Sequence, residues 1–573
     1  MQYSVNFGQI GPFPKTVPGP AFRLAVIGDF SARASAGVVE TGAKLAARKP
    51  HKVDVDDLDD LIERLKLAVS VPVDEAGNVL SVPIRCMDDF HPDQLVETIP
   101  ALEALLQLRR NLQSRSGFDR AAKEVLSWSN QVPLPPVASR RARGGAIATD
   151  RKLSDFARLT GRQQGSEADP DDLIRRLVGP FIVPERDARQ DAMVARVDAA
   201  LSAAMRRVLH HPDFQMAEAL WRGLDLLVRR VQTGAKMQIV LYDMSAEELA
   251  ADLAAADALE NSALYSLLIE QPAMDAGQGP LSLLAGMYQF EASPPHADLL
   301  GRLAQLAGAA GAPFITGIGP DGLKAPIHDW HPITRQAWEA LRALPASAYL
   351  GLATPRFLLR LPYGKRTDPI DAFMFEEFSR ETGLSGMLYG HPAWLVATLV
   401  AQTWLRDPKT SQLGSAATIG DLPVYLYHDT DGEQIALPCT ERLFSERQAV
   451  QIASLGVNPA IALRGRPEIR IAGFRSLGGA PLAGRWAPVD LASLASSATP
   501  APAPPPEPAI DALLDDLQPT AAPEPEKPEP EKQNTPPAED DLDSLLASLN
   551  VEPPPPVEGN VDADLDALLA SLK

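Results

Sequence analysis

Residues 216–233 have the spacing of an amphipathic helix and lead directly into Met237-Gln238-Ile239-Val240-Leu241-Tyr242, which reads as a strand. The same helix–strand alternation continues to about residue 490. A chain built this way is restricted to a sheet carrying helices, so the fold class is α/β, a mixed α+β body. Upstream, Phe22-Arg23-Leu24-Ala25-Val26-Ile27 is rich in strand formers and stops at Gly28-Asp29, a strand entering a turn. Residues Lys52 to Asp56 alternate apolar and polar, predicting a short half-exposed strand, and Leu58, Leu61, Ile62 and Leu65 then follow at helical spacing. Val79 to Met87 alternates as a further strand. Asp93 is placed to cap one helix carrying Leu95, Ile99, Leu102, Leu105 and Leu106 on one side. Residues 128–168 form a Pro-, Gly- and Arg-containing connector. Beyond it Leu173, Leu177 and Val178, and then a long amphipathic run from Arg189 to Leu209, predict helix.

The composition breaks after Ser497. Residues 500–573 hold 17 prolines, too little apolar surface to offset the entropy of ordering, and so predict a disordered acidic tail. From Ala501 onward there are 17 Asp and Glu against 3 Lys, so 14 of the chain's 20 net negative charges lie in the last 73 residues. Within this tail a short pattern recurs three times, at Ile510–Leu517, Leu542–Leu549 and Leu565–Leu572. Each copy places apolar side chains at i, i+3, i+4 and i+7, one face of a two-turn helix too short to stand alone. Such peptides suit an apolar groove on a partner, with Leu513, Leu514, Leu517, Leu545, Leu546, Leu549, Leu568, Leu569 and Leu572 as the contact residues.

Several function classes are excluded by what the chain lacks. No basic excess is present to displace phosphate counterions, which argues against nucleic acid. Cys86 and Cys439 are far apart, which supports neither a disulfide framework nor a thiolate zinc site and fits a reducing compartment. No run approaches 18 apolar residues and the start has no secretory pattern, so membrane insertion is not expected and the expected location is the cytoplasm. Phosphate-binding, dinucleotide, nucleophile-elbow and zinc-protease motifs are missing. The pairs His210-His211 and His328/His331 have no ligand cluster at metal spacing, and Asp54, Asp56, Asp57, Asp59 and Asp60 read as a solvated helix start. No catalytic, cofactor-binding or metal residue is assigned.

Ordered motifs carry a resemblance. Gly28-Asp29-Phe30-Ser31, Arg48-Lys49-Pro50 through Asp59, Met87-Asp88-Asp89-Phe90-His91-Pro92-Asp93, and Ile99 through Arg109 together resemble the small sheath subunit of type VI secretion systems (TssB/VipA). Downstream, Val208 to Val228 with Trp221-Arg222-Gly223, then Ser245 to Leu249, Gly279 to Phe290, Gly311 to Phe314, Ala348 to Gly364, Phe375 to Phe378 and Leu437 to Glu441 resemble the large subunit (TssC/VipB). The chain is identified as a fusion of the two. This implies a small-subunit-like region over 1–127, a connector over 128–168, a large-subunit-like region over 169–495 lacking the usual C-terminal portion, and the tail over 496–573.

The resemblance also implies assembly and packing roles for Asp89, Phe90, Pro92, Trp221, Arg222, Gly223, Pro355, Arg356, Arg360, Pro362, Tyr363 and Gly364. Trp221 is expected as a core anchor, Arg222 in an ion pair and Gly223 at a close approach; Arg356 and Arg360 are expected to meet carboxylates across subunits. The implied function is a structural subunit that self-assembles around an inner tube (Hcp-like) protein on a baseplate and contracts. The tail would engage an AAA+ unfoldase (ClpV-like) or another protein. A non-propagating paralogue, acting as a cap or as an adaptor to the baseplate or membrane complex, is the alternative.

Overall fold

The computed structural model describes residues 21–72, 79–114, 116–128, 188–275, 277–379, 383–408, 412–428, 434–463 and 465–487. The connector, the segment holding Leu173, Leu177 and Val178, and the whole tail lie outside these residues, as does the region 488–495. The first strand, β1 (Phe22–Gly28), is buried along its full length. It lies parallel to β5 (Met237–Asp243), with Phe22 opposite Met237 and Gly28 opposite Asp243. On its other side it is parallel to β6 (Leu283–Phe290), with Leu24 opposite Leu283. A strand from the first half of the chain therefore fills a slot between two strands of the second half.

Around that slot the described residues build a nine-stranded sheet in the order β11-β15-β14-β8-β7-β6-β1-β5-β2. β7 (Phe314–Ile318), β8 (Leu350–Thr354) and β14 (Val457–Ala462) extend the parallel centre. The edges are antiparallel: β2 (His51–Val53) on β5, and β15 (Ile469–Ile471) with β11 (Thr418–Ile419) beyond β14. β1 faces two cores at once. Phe22, Leu24 and Val26 belong to one, Ala25 and Ile27 to the other. That double burial is why its sequence from Leu24 to Ile27 is an unbroken apolar run rather than an alternation.

Helices cover both faces. On the Leu24 side lie α5 (Ala188–Leu209), α6 (Pro212–Arg230) and α10 (Ala393–Arg406), together with the helices of the first half: α1 (Leu58–Leu65), α2 (Pro92–Thr98), α3 (Pro100–Gln113) and α4 (Phe118–Ser127). On the Ile27 side lie α7 (Ala246–Ala255), α8 (Pro294–Ala310) and α9 (Pro332–Ala343). Three strand pairs stand apart from the main sheet: β3 (Ala68–Pro72) with β4 (Val79–Pro83), β9 (Phe357–Leu358) with β10 (Tyr389–Gly390), and β12 (Leu426–His428) with β13 (Gln434–Ala436).

The first half departs from the expected elements in three places. The strand expected over 52–56 stops at Val53, because Asp54 accepts from the N–H of Val55 and opens a 3₁₀ turn over Val55–Asp57. The strand expected to Met87 stops at Pro83, and a 3₁₀ turn Met87–Phe90 follows. The single helix expected after Asp93 is two. Ile99 precedes Pro100 and is held extended, as proline demands of the residue before it. The cap is His91, whose Nδ1 accepts from the Asp93 N–H at 3.3 Å, not Asp93 itself.

Candidate functional site at the joint between the halves

At the carboxyl ends of β1 and β5 the chain after Gly28 runs over the start of α7. Ser31 donates its hydroxyl to Asp243 at 2.6 Å and its N–H to the same carboxylate at 3.0 Å. Glu248 is fully buried at the N-terminus of α7, where it forms a capping box with Ser245. It also accepts from Arg48 (2.7 and 2.8 Å), Arg33 (3.1 Å) and the Glu40 N–H (3.0 Å), all supplied by the first half. Burial alone would raise the Glu248 carboxyl. Arg48 and the N–H groups of Ser245 and Glu40 outweigh it and pull the pKa down to about 2. Asp29 goes the other way: burial pushes it up to about 6, against the N–H donors of Ala34 and Arg33.

A second joint surrounds Trp221 and Arg360. Trp221 is fully buried, donates its indole N–H to the Phe30 carbonyl at 3.0 Å, and meets the Phe30 ring edge-on at 5.3 Å. One turn earlier on α6, Glu218 accepts from Arg222 at 2.7 Å and from Arg360 at 2.7 Å. Arg360 reaches Glu377 with its other edge, again at 2.7 Å, and stacks over the Tyr363 ring at 4.1 Å. Burial would raise Glu218, but the charges of Arg360 and Arg222 hold it below the usual carboxylate range. The Tyr363 hydroxyl accepts from Arg222 at 3.0 Å, and its N–H donates to Glu377 at 2.8 Å. Gly223 lies against Trp394 of α10, where an added Cβ would fall 2.2 Å from the indole nitrogen.

The turn of the first half docks on the same loop. Phe90 is buried edge-on to Phe214 at 5.7 Å, and Pro92 is buried at the first turn of α2. The His91 ring meets Tyr363 edge-on at 5.0 Å, while the Asp93 carboxylate accepts from the N–H groups of Asp371 and Ala372 at 2.9–3.1 Å. Asp89 acts locally, accepting from the Arg85 N–H at 2.6 Å.

The chain's similarities match this division. The family model described as VipB, tail sheath N-terminal domain, matches residues 191–478. That described as type VI secretion system VipA matches residues 17–123. The chain belongs to the type VI secretion sheath family. It unites both sheath components, TssB at the N-terminus and TssC downstream. It is 29% identical over 306 residues to the type VI secretion system sheath protein TssC1 of Pseudomonas aeruginosa. That alignment takes in 50% of this chain and spans 61% of the relative's length.

Of the residues expected to pack the sheath chain, Phe90, Trp221 and Tyr363 make contacts between the halves, Asp89 acts locally and Arg356 lies outward. Arg356 is half exposed and pairs with Glu441 at 2.7 Å. Pro355 follows Thr354 through a cis peptide; Pro362 and Gly364 frame the turn closed by the Thr367 hydroxyl. Where carboxylates across subunits were expected, Arg356 meets Glu441 and Arg360 meets Glu218 and Glu377 of the same chain. Sequence reading gave no role to Glu218, Glu377, Asp243, Glu248, Arg33 or Arg48. The signal available was a charged residue inside an apolar helical face, as at Glu218 between Ala217 and Leu220. The Arg33 and Arg48 pairs with Glu248 fasten the two halves, while the Glu218–Arg360–Glu377 cluster ties α6 to the 360–377 segment within the second half. Among the described residues no helix is long and apolar enough to cross a membrane.

Proposed function

We propose that this chain is a one-piece sheath protomer that assembles helically around an inner tube in the bacterial cytoplasm and contracts to propel it. The observation that carries the reading is β1: a strand matched to the small subunit lies hydrogen-bonded between two strands matched to the large one. Covalent fusion fixes the stoichiometry at one to one and raises the effective concentration of each half into about the mM range. Heterologous contacts between such protomers generate an open tube. Work then comes from two lattice arrangements of different free energy rather than from a chemical step. Within this reading 1–127 and 169–495 are the two sheath regions and 128–168 their connector. The packing residues from Phe90 to Gly364 keep the protomer rigid enough to transmit contraction. The baseplate and an AAA+ unfoldase are the proposed further partners, the latter through the tail motifs.

A second reading is favoured by one observation: the family match ends at residue 478 and the alignment spans 61% of TssC1. A protomer without the remaining part of the large subunit would cap a sheath, or tether it through the tail, without propagating. Negative-stain electron microscopy of the protein alone, and then with its tube protein, separates the two. Long hollow tubes support the first reading; monomers or small rings under both conditions support the second.

A further inference from the structure

At the β11 edge of the sheet lies a cavity of about 440 Å³, a volume within the range of ligand pockets. Its apolar lining comes from Leu413, Ile471, Phe474 and Pro481. Arg470 and Arg475, both exposed, stand on its wall. Among the described residues no carboxylate pairs with either guanidinium. Two uncompensated positive charges over an apolar floor suit an acidic peptide with apolar side chains on one face. The chain supplies one. Gly484 pairs with Ala487, so the backbone leaves the described body only a few residues beyond Pro481 of the cavity wall. Ile510 to Leu517 then begins 23 residues after Ala487.

We propose that this first tail motif docks in the cavity of its own chain, with Leu513 and Leu514 on the apolar floor and its aspartates toward Arg470 and Arg475. Of the three repeats it is the one with Asp511, Asp515 and Asp516 all inside the motif; the other two carry Asp543 and Asp566 alone there. Reach is sufficient: 22 intervening residues extend to about 70 Å at about 3.1 Å each, far more than the return distance. Affinity need not be high. At an effective concentration of about 1 mM, a peptide with a Kd of about 100 µM is docked in about nine chains of ten. Docking would cover the β11 edge, which is otherwise open to pairing by another strand. The second and third motifs stay available for other proteins. The proposal does not depend on sheath assembly, since it concerns the unassembled chain.

The test uses the full chain with a benzophenone side chain replacing exposed Ala472, irradiated at submicromolar concentration. Mass spectrometry of the monomer band is expected to find the adduct within residues 510–517. Arg470→Glu/Arg475→Glu and, separately, Leu513→Asp/Leu514→Asp are each expected to lower its yield at least fivefold. The tail variant leaves the folded body untouched, and an unchanged melting temperature verifies the arginine variant. Adducts only on a second chain, equal yields on the other two motifs, or a yield indifferent to both variants would overturn the proposal.

Discussion

Gly223 and Trp394 show how tightly single residues are set in this joint. A methyl group on Gly223 would lie 2.2 Å from a fully buried indole that has no room to withdraw. Gly223→Ala is expected to lower stability by about 1–3 kcal/mol, the usual range for overpacking. Thermal melts check this, and the same substitution in a Trp394→Phe background should be milder. Arg360 is the opposite case, a charge that is needed rather than excluded. Arg360→Met leaves Glu218 and Glu377 buried without their shared cation, so a loss of about 3–5 kcal/mol is expected in urea unfolding. Glu248 supplies the pH-dependent term. Its folded pKa of about 2 lies below the ordinary 4.5, so its contribution is present above 4.5 and drains away as pH falls toward 2. Urea midpoints measured across that window should fall less steeply for Glu248→Gln than for the unaltered chain; parallel slopes would refute the assigned role.

Among the elements, the local pattern made β1, β5, α5 and α6 legible, because a buried strand and an amphipathic helix each carry their own periodicity. What was not legible depends on long-range partners. Nothing within Phe22–Gly28 states that it pairs with Met237–Asp243 and Leu283–Phe290 rather than with β2. Asp93 has the chemistry of a helix cap, yet its carboxylate is taken by Asp371 and Ala372, so His91 caps instead. Glu218 looks misplaced on an apolar face until Arg360, 142 residues away, is brought beside it. Cutting the connector between residues 128 and 168 of the folded protein tests the interleaving. The fragments are expected to co-elute in size-exclusion chromatography, because the backbone ladders on both sides of β1 and the Arg33/Arg48–Glu248 cluster remain. Separate elution without denaturant would show that the sheet does not hold them.

For the whole molecule, the interleaved sheet joins the two halves through one core, so in the proposed sheath the moving unit would be the entire chain. Among the described residues, β1 is packed on both faces by the two cores. A chain lacking residues 496–573 is expected to melt about 1–3 °C below the full chain, the loss of one weakly docked motif with the core left intact. The most direct measurement of the central claim is cryo-electron microscopy of the protein assembled with its tube protein. The account predicts a hollow helical lattice with one chain at each lattice point and β1 hydrogen-bonded between β5 and β6 of that chain. A lattice in which β1 fills the slot of a neighbouring chain, or no lattice at all, would contradict it.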